Sequence, residues 1–315
     1  MASTPQELKE RIVGSVVGLP TLYNQDYSIN YAGMRTHVDF LIDNGIKVLM
    51  LSRGISEWPY LTYEEIRAVT KNAVQAAAGR AVVITSTFEW WTGRSIEFIQ
   101  YAQDVGADGC LVVLPILYTD YDPALHDDVF YKHFETIAQA TDIGLLIHER
   151  SLADWRGTTG APLSVSLVDR LAYIDNVVGM KLEGGDRFYA QQVVRKTKDR
   201  LAIIGDWGPE AWLFTHEYGV PANISELGQF APKVEVQLWN DIHDGRLEEA
   251  RKLINDVITP YDGQMLTMDW LAARKVSMEF VGLPASPMRP PSAQLTAEQR
   301  ERLRQAMLET GLLLS

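Results

Sequence analysis

A single cysteine, Cys110, in 315 residues excludes an intrachain disulfide and any cysteine-based zinc site. It lies inside "GCLVVLP", where a thiol serves as a small buried hydrophobe. No stretch approaches the roughly 18 consecutive apolar residues of a membrane span. The first residues, "MASTPQELKERIVG", lack the apolar segment of a secretory signal, so a cytoplasmic protein without a membrane partner is expected. Basic charge is scarce as well: 29 Lys and Arg stand against 41 Asp and Glu, a formal net charge of −12. With no basic block either, nucleic acid is not an expected partner, and an anionic ligand would need a local group of cations to overcome the global field. No Gly-x-Gly-x-x-Gly follows the first apolar run, which counts against a dinucleotide-binding sheet, and no His-Glu-x-x-His metal motif occurs.

What the chain does have is a series of short, β-branched apolar runs. They are "IVGSVVGLP" from Ile12, "VLMLS" from Val48, "AVVITST" from Ala81, "CLVVLP" from Cys110, "GLLIHE" from Gly144, "VVGMKLE" from Val177, "LAIIGD" from Leu201 and "VPANIS" from Val220. Near-continuous apolar strands, as opposed to alternating ones, predict a parallel sheet covered on both faces. Helical patterns lie between them. In residues 30–44, Met34, Val38, Leu41 and Ile42 fall on one face and Gly45 suits a left-handed cap, while Thr62 and Glu65 form a capping-box pair. Eight strands alternating with helices predict an α/β protein, a (β/α)8 TIM barrel, with a doubly wound open sheet as the weaker alternative. After about residue 232 the strand runs stop, and "RLEEARKLINDVI", "MDWLAARKVSMEFVG" and "TAEQRERLRQAMLETG" read as helices. The expected organisation is therefore a barrel over 1–232 and a C-terminal helical extension over 233–315.

Reactive groups of such barrels gather at the C-terminal ends of the strands. Lys47 precedes its strand and belongs to the opposite end. Lys181 follows "VVGM" and belongs to the catalytic end. One reading of Lys181 is a salt bridge, for instance to Glu183 or Asp206; the sharper one is a desolvated amine, its pKa lowered, that attacks a ketone to form an imine.

"VVGMKLEGGD" resembles the lysine-bearing strand of the dihydrodipicolinate synthase and N-acetylneuraminate lyase family, where a Gly, an aliphatic residue and the Lys are followed by x, Ser or Thr, Ser or Gly, Gly and Asp. "LTYEEIRAVTKNAVQAAAGRAVVITST", "AQDVGADGCLVVLP", "DGRLEEARKL" and "GLPASPMRPP" are similar to further stretches of that family in the same order, so the resemblance runs over almost the whole chain. It implies a class I, Schiff-base-forming aldolase or dehydratase on a barrel with a C-terminal helical domain. It also implies no cofactor, a 2-oxo acid substrate and a homo-oligomer, a tetramer or a dimer.

The departures from the family pattern define the open questions. Where the family carries Gly-Ser/Thr-Thr-Gly-Glu to hold the substrate carboxylate, this chain has "RGISE". Backbone N–H groups at Gly54 and Ile55, with Ser52, Arg53 or Ser56, are the candidates for that clamp. Where the family has a proton-relaying tyrosine after the fifth strand, "IHERSLADWRG" places His148, a residue able to do acid–base work near neutral pH. Arg156 fits the family arginine if a short insertion is allowed, with Arg150 as its competitor. The aromatic pair after the fourth strand is replaced by Ile116 and Leu117, with Tyr118 and Tyr121 beyond. Asp206, Trp207, Ser225 and Glu226, at the ends of strands seven and eight, are candidates to read the substrate's distal half. Lys181 and His148 are the expected catalytic residues.

Two other readings stay open. His148, Glu149, Glu183 and Asp186 offer nitrogen and oxygen ligands for a divalent cation, although strand alternation points His148 and Glu149 to opposite faces. The other is a barrel that binds a ligand without catalysis, a reading that leaves the retained lysine unexplained. No metal or cofactor is assigned.

Overall fold

A computed structural model of the chain describes residues 2–115, 122–149 and 162–314. Eight strands, β1 (Gly14–Gly18), β2 (Val48–Met50), β3 (Val82–Ser86), β4 (Gly109–Val112), β5 (Gly144–Glu149), β6 (Val177–Leu182), β7 (Ala202–Gly205) and β8 (Ala222–Ser225), form one closed parallel barrel in sequence order. Closure is made by β8 against β1, with Val16 opposite Ile224, and this replaces the open sheet by a (β/α)8 architecture. Every strand residue is buried, which is why these runs are apolar on both faces.

Ahead of the barrel lies α1 (Pro5–Arg11). The βα units are then completed by α2 (Tyr31–Asp43), α3 (Tyr63–Ala77), α4 (Thr92–Val105), α5 (Pro123–Gln139), α6 (Val165–Leu171), α7 (Arg187–Thr197), α8 (Pro209–Thr215) and α9 (Pro232–His243). In α2, Met34, Val38 and Leu41 are buried on one face while Ile42 is only half-buried; Gly45, at φ +95°, takes the left-handed conformation that ends the turn. The Thr62–Glu65 capping box opens α3.

Alternate strand residues point inward and meet in a separate interior cluster that includes Val16, Val48, Met50, Ile84, Leu111, Leu146 and Ile204. Leu8 of α1 and Ile12, the residue that caps its C-terminus, plug this cluster. A Cβ added at Gly109 or Gly144 would come within 2.5 or 2.6 Å of a Leu8 methyl, so those two strands are stripped of side chains to admit the plug. The C-terminal segment runs through α10 (Leu247–Leu253), a π-helical turn at Ile254–Ile258, α11 (Thr259–Met265), α12 (Trp270–Phe280) and α13 (Ala297–Glu309), the last opened by the Thr296–Gln299 capping box. Trp270 of α12 packs against the interior cluster, which brings this helix to the barrel. Arg289 fastens the connection after α12 by a fork of two bonds to Glu65, 2.8 and 2.9 Å, and by bonds to the Tyr27 and Tyr60 carbonyls. Among the described residues, no helix is long and apolar enough to cross a membrane.

Candidate active site

Strand alternation alone does not bring Lys181 opposite His148; a bulge does. The β5–β6 ladder pairs Leu145 with Val177 but Leu146 with Gly179, so Val178 is an extra residue and everything after it is shifted by one. The shift makes His148 and Lys181 direct Cα partners, both on the inner face. Gly179 permits it, because a Cβ there would press to 2.9 Å from the Leu146 side chain and 3.1 Å from the Ala202 carbonyl. The lysine is therefore aimed into the barrel by the glycine two residues before it.

The Lys181 ammonium is buried and held between two carboxylates, 2.8 Å from Glu183 Oε2 and 2.7 Å from Asp206 Oδ2. His148 donates from Nε2 to the same Glu183 oxygen at 3.0 Å. Its Nδ1 is buried and has no hydrogen-bond partner among the described residues. Glu183 stands two residues past Lys181 and so shares its face. Glu149 points the other way and accepts from the N–H of Gly184 at 2.6 Å and of Leu163 at 3.4 Å.

Electrostatics in this group differ from the sequence expectation of an amine with a lowered pKa. Burial does push the Lys181 ammonium down, but the charges of Asp206 and Glu183 outweigh it and hold the group well above its ordinary range. Burial likewise pushes Glu183 up, and the Lys181 charge with the His148 hydrogen bond carries it well below the usual carboxylate range. His148 is lowered, by burial first and by the Lys181 charge second, so at neutral pH it is an uncharged imidazole. The resting site thus holds a protonated amine, two carboxylates and a neutral base.

The remaining candidates divide. Asp206 joins the lysine. Ser225 faces outward from β8, where its hydroxyl accepts from the Gly228 N–H at 2.9 Å, and it lines a cavity of about 260 Å³ together with Asp206, Asn223, Glu226 and Glu235. In the loop after β2, the Ser56 hydroxyl donates to the Leu19 carbonyl at 2.6 Å and accepts from the Ser52 N–H at 3.1 Å, so it braces the loop. Ile55 enters the interior cluster against Gly18, and Arg53 pairs through Nε with Glu89 at 2.6 Å. Gly54 is open, with no heavy atom within 4 Å of where a Cβ would stand. Arg156 and Arg150, with residues 116–121, lie outside the described residues.

Two charged residues from the C-terminal helices escaped the sequence reading. Arg274 of α12 is buried, stacks 4.4 Å over the Trp270 ring and pairs with Glu226, while the Asp206 charge opposes the lowering that burial imposes on its guanidinium. Lys275 pairs with Glu57. Nothing in a local motif signals either ion pair, because each spans more than 40 residues of chain. Among the described residues no group of three or more His, Cys, Asp or Glu side chains is arranged to hold a metal ion.

A closed (β/α)8 barrel with an amine, an imidazole and two carboxylates converging at the C-terminal end of its strands is the framework of a barrel lyase. The chain belongs to the dihydrodipicolinate synthetase family, whose model matches residues 11–310. That places it in a family of class I, Schiff-base-forming lyases. It is 30% identical to the 4-hydroxy-tetrahydrodipicolinate synthase of Ectopseudomonas mendocina, over 96% of this chain and 99% of that protein. It is 24% identical to an uncharacterized DapA-like lyase of Pyrococcus furiosus, over 88% and 90% of the two chains. The fold is shared with N-acetylneuraminate lyase from Fusobacterium nucleatum, at a TM-score of 0.84, 21% identity and coverage of 96% and 99%. It is shared equally with a prophage protein of E. coli K12 belonging to the dihydrodipicolinic acid synthase family, solved in complex with pyruvate, at a TM-score of 0.84, 23% identity and coverage of 95% and 99%.

Proposed function

We propose that the protein is a cofactor-independent aldolase or dehydratase that acts on a 2-oxo acid, pyruvate itself or a sugar-derived one, through an imine at Lys181. The observation that carries this reading is the buried Lys181 amine at the catalytic end of β6, with the neutral imidazole of His148 beside it across the ladder. In this reading the amine condenses with the C2 ketone, and the protonated imine draws electrons from the adjacent bond as it breaks or forms. His148 exchanges the accompanying proton in the place of the family tyrosine. The loop at 52–56 supplies the carboxylate clamp, with Gly54 allowing close approach of the ligand to the backbone and Arg53 balancing its charge. Arg156 is a further anion contact. Asp206 meets the distal half of the substrate, Ser225 reaches it only through the cavity that the two residues line together, and the active species is a homo-oligomer. Borohydride reduction in the presence of pyruvate, or of a panel of 2-oxo acids, is expected to add a stable mass to the peptide containing Lys181. A protein left unmodified by the whole panel rules this function out.

The relatives named 4-hydroxy-tetrahydrodipicolinate synthase, at 27–30% identity, favour a second reading in which pyruvate is condensed with aspartate semialdehyde. The departures at Gly54, Ile55 and His148 favour a different acceptor. Turnover in a coupled assay with both substrates would reverse that ranking.

A further inference from the structure

We propose that Glu183 is a catalytic carboxylate that carries the proton between the Lys181 amine and the adduct it forms, and that it holds His148 with its second nitrogen ready for the next proton transfer. This rests on the imine reading above.

The geometry is specific. One oxygen, Glu183 Oε2, is within hydrogen-bond distance of both the Lys181 Nζ, at 2.8 Å, and the His148 Nε2, at 3.0 Å. Asp206 also touches the lysine, but among the described residues no bond joins it to the imidazole. Glu183 is thus the group that connects the nucleophile with the base. Two of the positions at which the sequence leaves the family pattern, His148 in place of the tyrosine and Glu183 in place of Ser or Thr, are in direct contact here. At these two positions the hydroxyl side chains of the family pattern are replaced by an imidazole and a carboxylate. Because Nε2 is committed to Glu183 as a donor, the neutral ring carries its lone pair on Nδ1. Facing Glu183 are Lys181 on its own strand, His148 and the more distant Glu149 on β5, and, past the lysine, Asp206 at the end of β7.

The resting amine is an ammonium and cannot attack a ketone. Glu183 Oε2 takes one proton from Nζ, and the neutral amine adds to C2, forming the C–N bond as the carbonyl π pair moves to oxygen. A second nitrogen proton moves to that oxygen to give the carbinolamine. Glu183 then returns the borrowed proton to the carbinolamine hydroxyl, the C–O bond breaks, and water leaves. The nitrogen keeps its third proton as the iminium, and Glu183 ends as the carboxylate it began as. No external acid, oxidant or reductant enters.

A carboxylate that merely pins the ammonium predicts the opposite result on removal. Glu183→Gln would then lower the ammonium's pKa and speed imine formation at neutral pH. The proton-carrier role predicts that this variant forms the imine at least about 100-fold more slowly at saturating pyruvate. The test is rapid-quench borohydride trapping on Lys181, followed by mass spectrometry across pH 5–9, with each rate taken per folded molecule from circular dichroism. Glu183→Asp should retain a larger share of the rate than Glu183→Gln, and added formate should restore Glu183→Ala. Wild-type protein that never traps overturns the imine reading and this inference with it. Wild-type protein that traps, with Glu183→Gln trapping as fast or faster, overturns the role of Glu183 alone.

Discussion

Glu57 and Lys275 form a buried ion pair, Oε1 to Nζ 2.5 Å, that joins the loop after β2 to α12. The two side chains are 0% and 2% exposed, so neither charge has water to fall back on. Burial raises the Glu57 carboxyl and lowers the Lys275 ammonium, and each is opposed by its partner. Glu57 also adopts a left-handed backbone, φ 58°, to reach this position. The pair anchors one end of the loop assigned to the substrate carboxylate. Removing a single partner of a buried pair leaves the other uncompensated, at a cost of about 3–5 kcal/mol. Lys275→Met is therefore expected to lose stability of that order in urea unfolding, and Glu57→Gln with Lys275→Met to regain most of it. A double variant as unstable as the single one would remove the ion pair as the cause.

Stability should also carry an unusual pH dependence from Glu235 of α9. Its carboxyl lies within 3.3 Å of the Ser15 hydroxyl, and burial pushes it up to about 7, with Asp262 adding to the shift and Ser225 and Ser15 opposing it. Between the ordinary value of 4.5 and about 7, the folded protein keeps a proton that the unfolded chain releases, so stability falls as pH rises through that window. His37 and His133 act in the reverse sense on the acid side. Burial lowers both to about 4, and the unfolded chain takes up protons first as pH falls below 6.5. Glu235→Gln removes only the first effect. The variant should match the wild type near pH 4.5 and exceed it by roughly 3 kcal/mol at pH 8. A difference that does not change with pH would contradict the buried, protonated carboxyl.

The barrel was legible in the sequence because its signal is local: eight apolar runs, whose strand residues are all buried, alternate with capped amphipathic helices such as the one opened by Thr62 and Glu65. The position of Lys181 was legible for the same reason, since which end of a strand a residue occupies is read from chain order. Its electrostatic state was not. That depends on Asp206, 25 residues away, and on the bulge at Val178 that turns the lysine inward, for which the only local sign is Gly179 inside an apolar run. Glu183 could have been placed on the lysine's face by alternation, but its bond to His148 needs the β5–β6 register. Arg274 and Lys275 reach the barrel loops from α12 by tertiary packing, which no spacing within a motif encodes.

Asp206 offers a test of the charge balance that is separable from proton transfer. It is the largest of the contributions that hold the Lys181 ammonium up, and its oxygen lies 2.7 Å from Nζ. Asp206→Asn leaves the lysine with one counter-charge, so its pKa falls. The amine must lose a proton before it attacks, so the imine-forming rate rises with pH up to the ammonium's pKa, and a lower pKa moves that rising limb to lower pH. At a fixed pH on the limb the variant should trap pyruvate faster than the wild type, by about tenfold for each pH unit the limb moves. Pyruvate has no distal half, so the loss of an Asp206 contact to a longer substrate does not enter the comparison. Glu183→Gln removes a counter-charge as well, yet is expected to slow the same reaction. The two variants thus diverge only if one carboxylate sets the charge and the other moves the proton. If Asp206→Asn leaves the limb where it is, Asp206 does not control the amine.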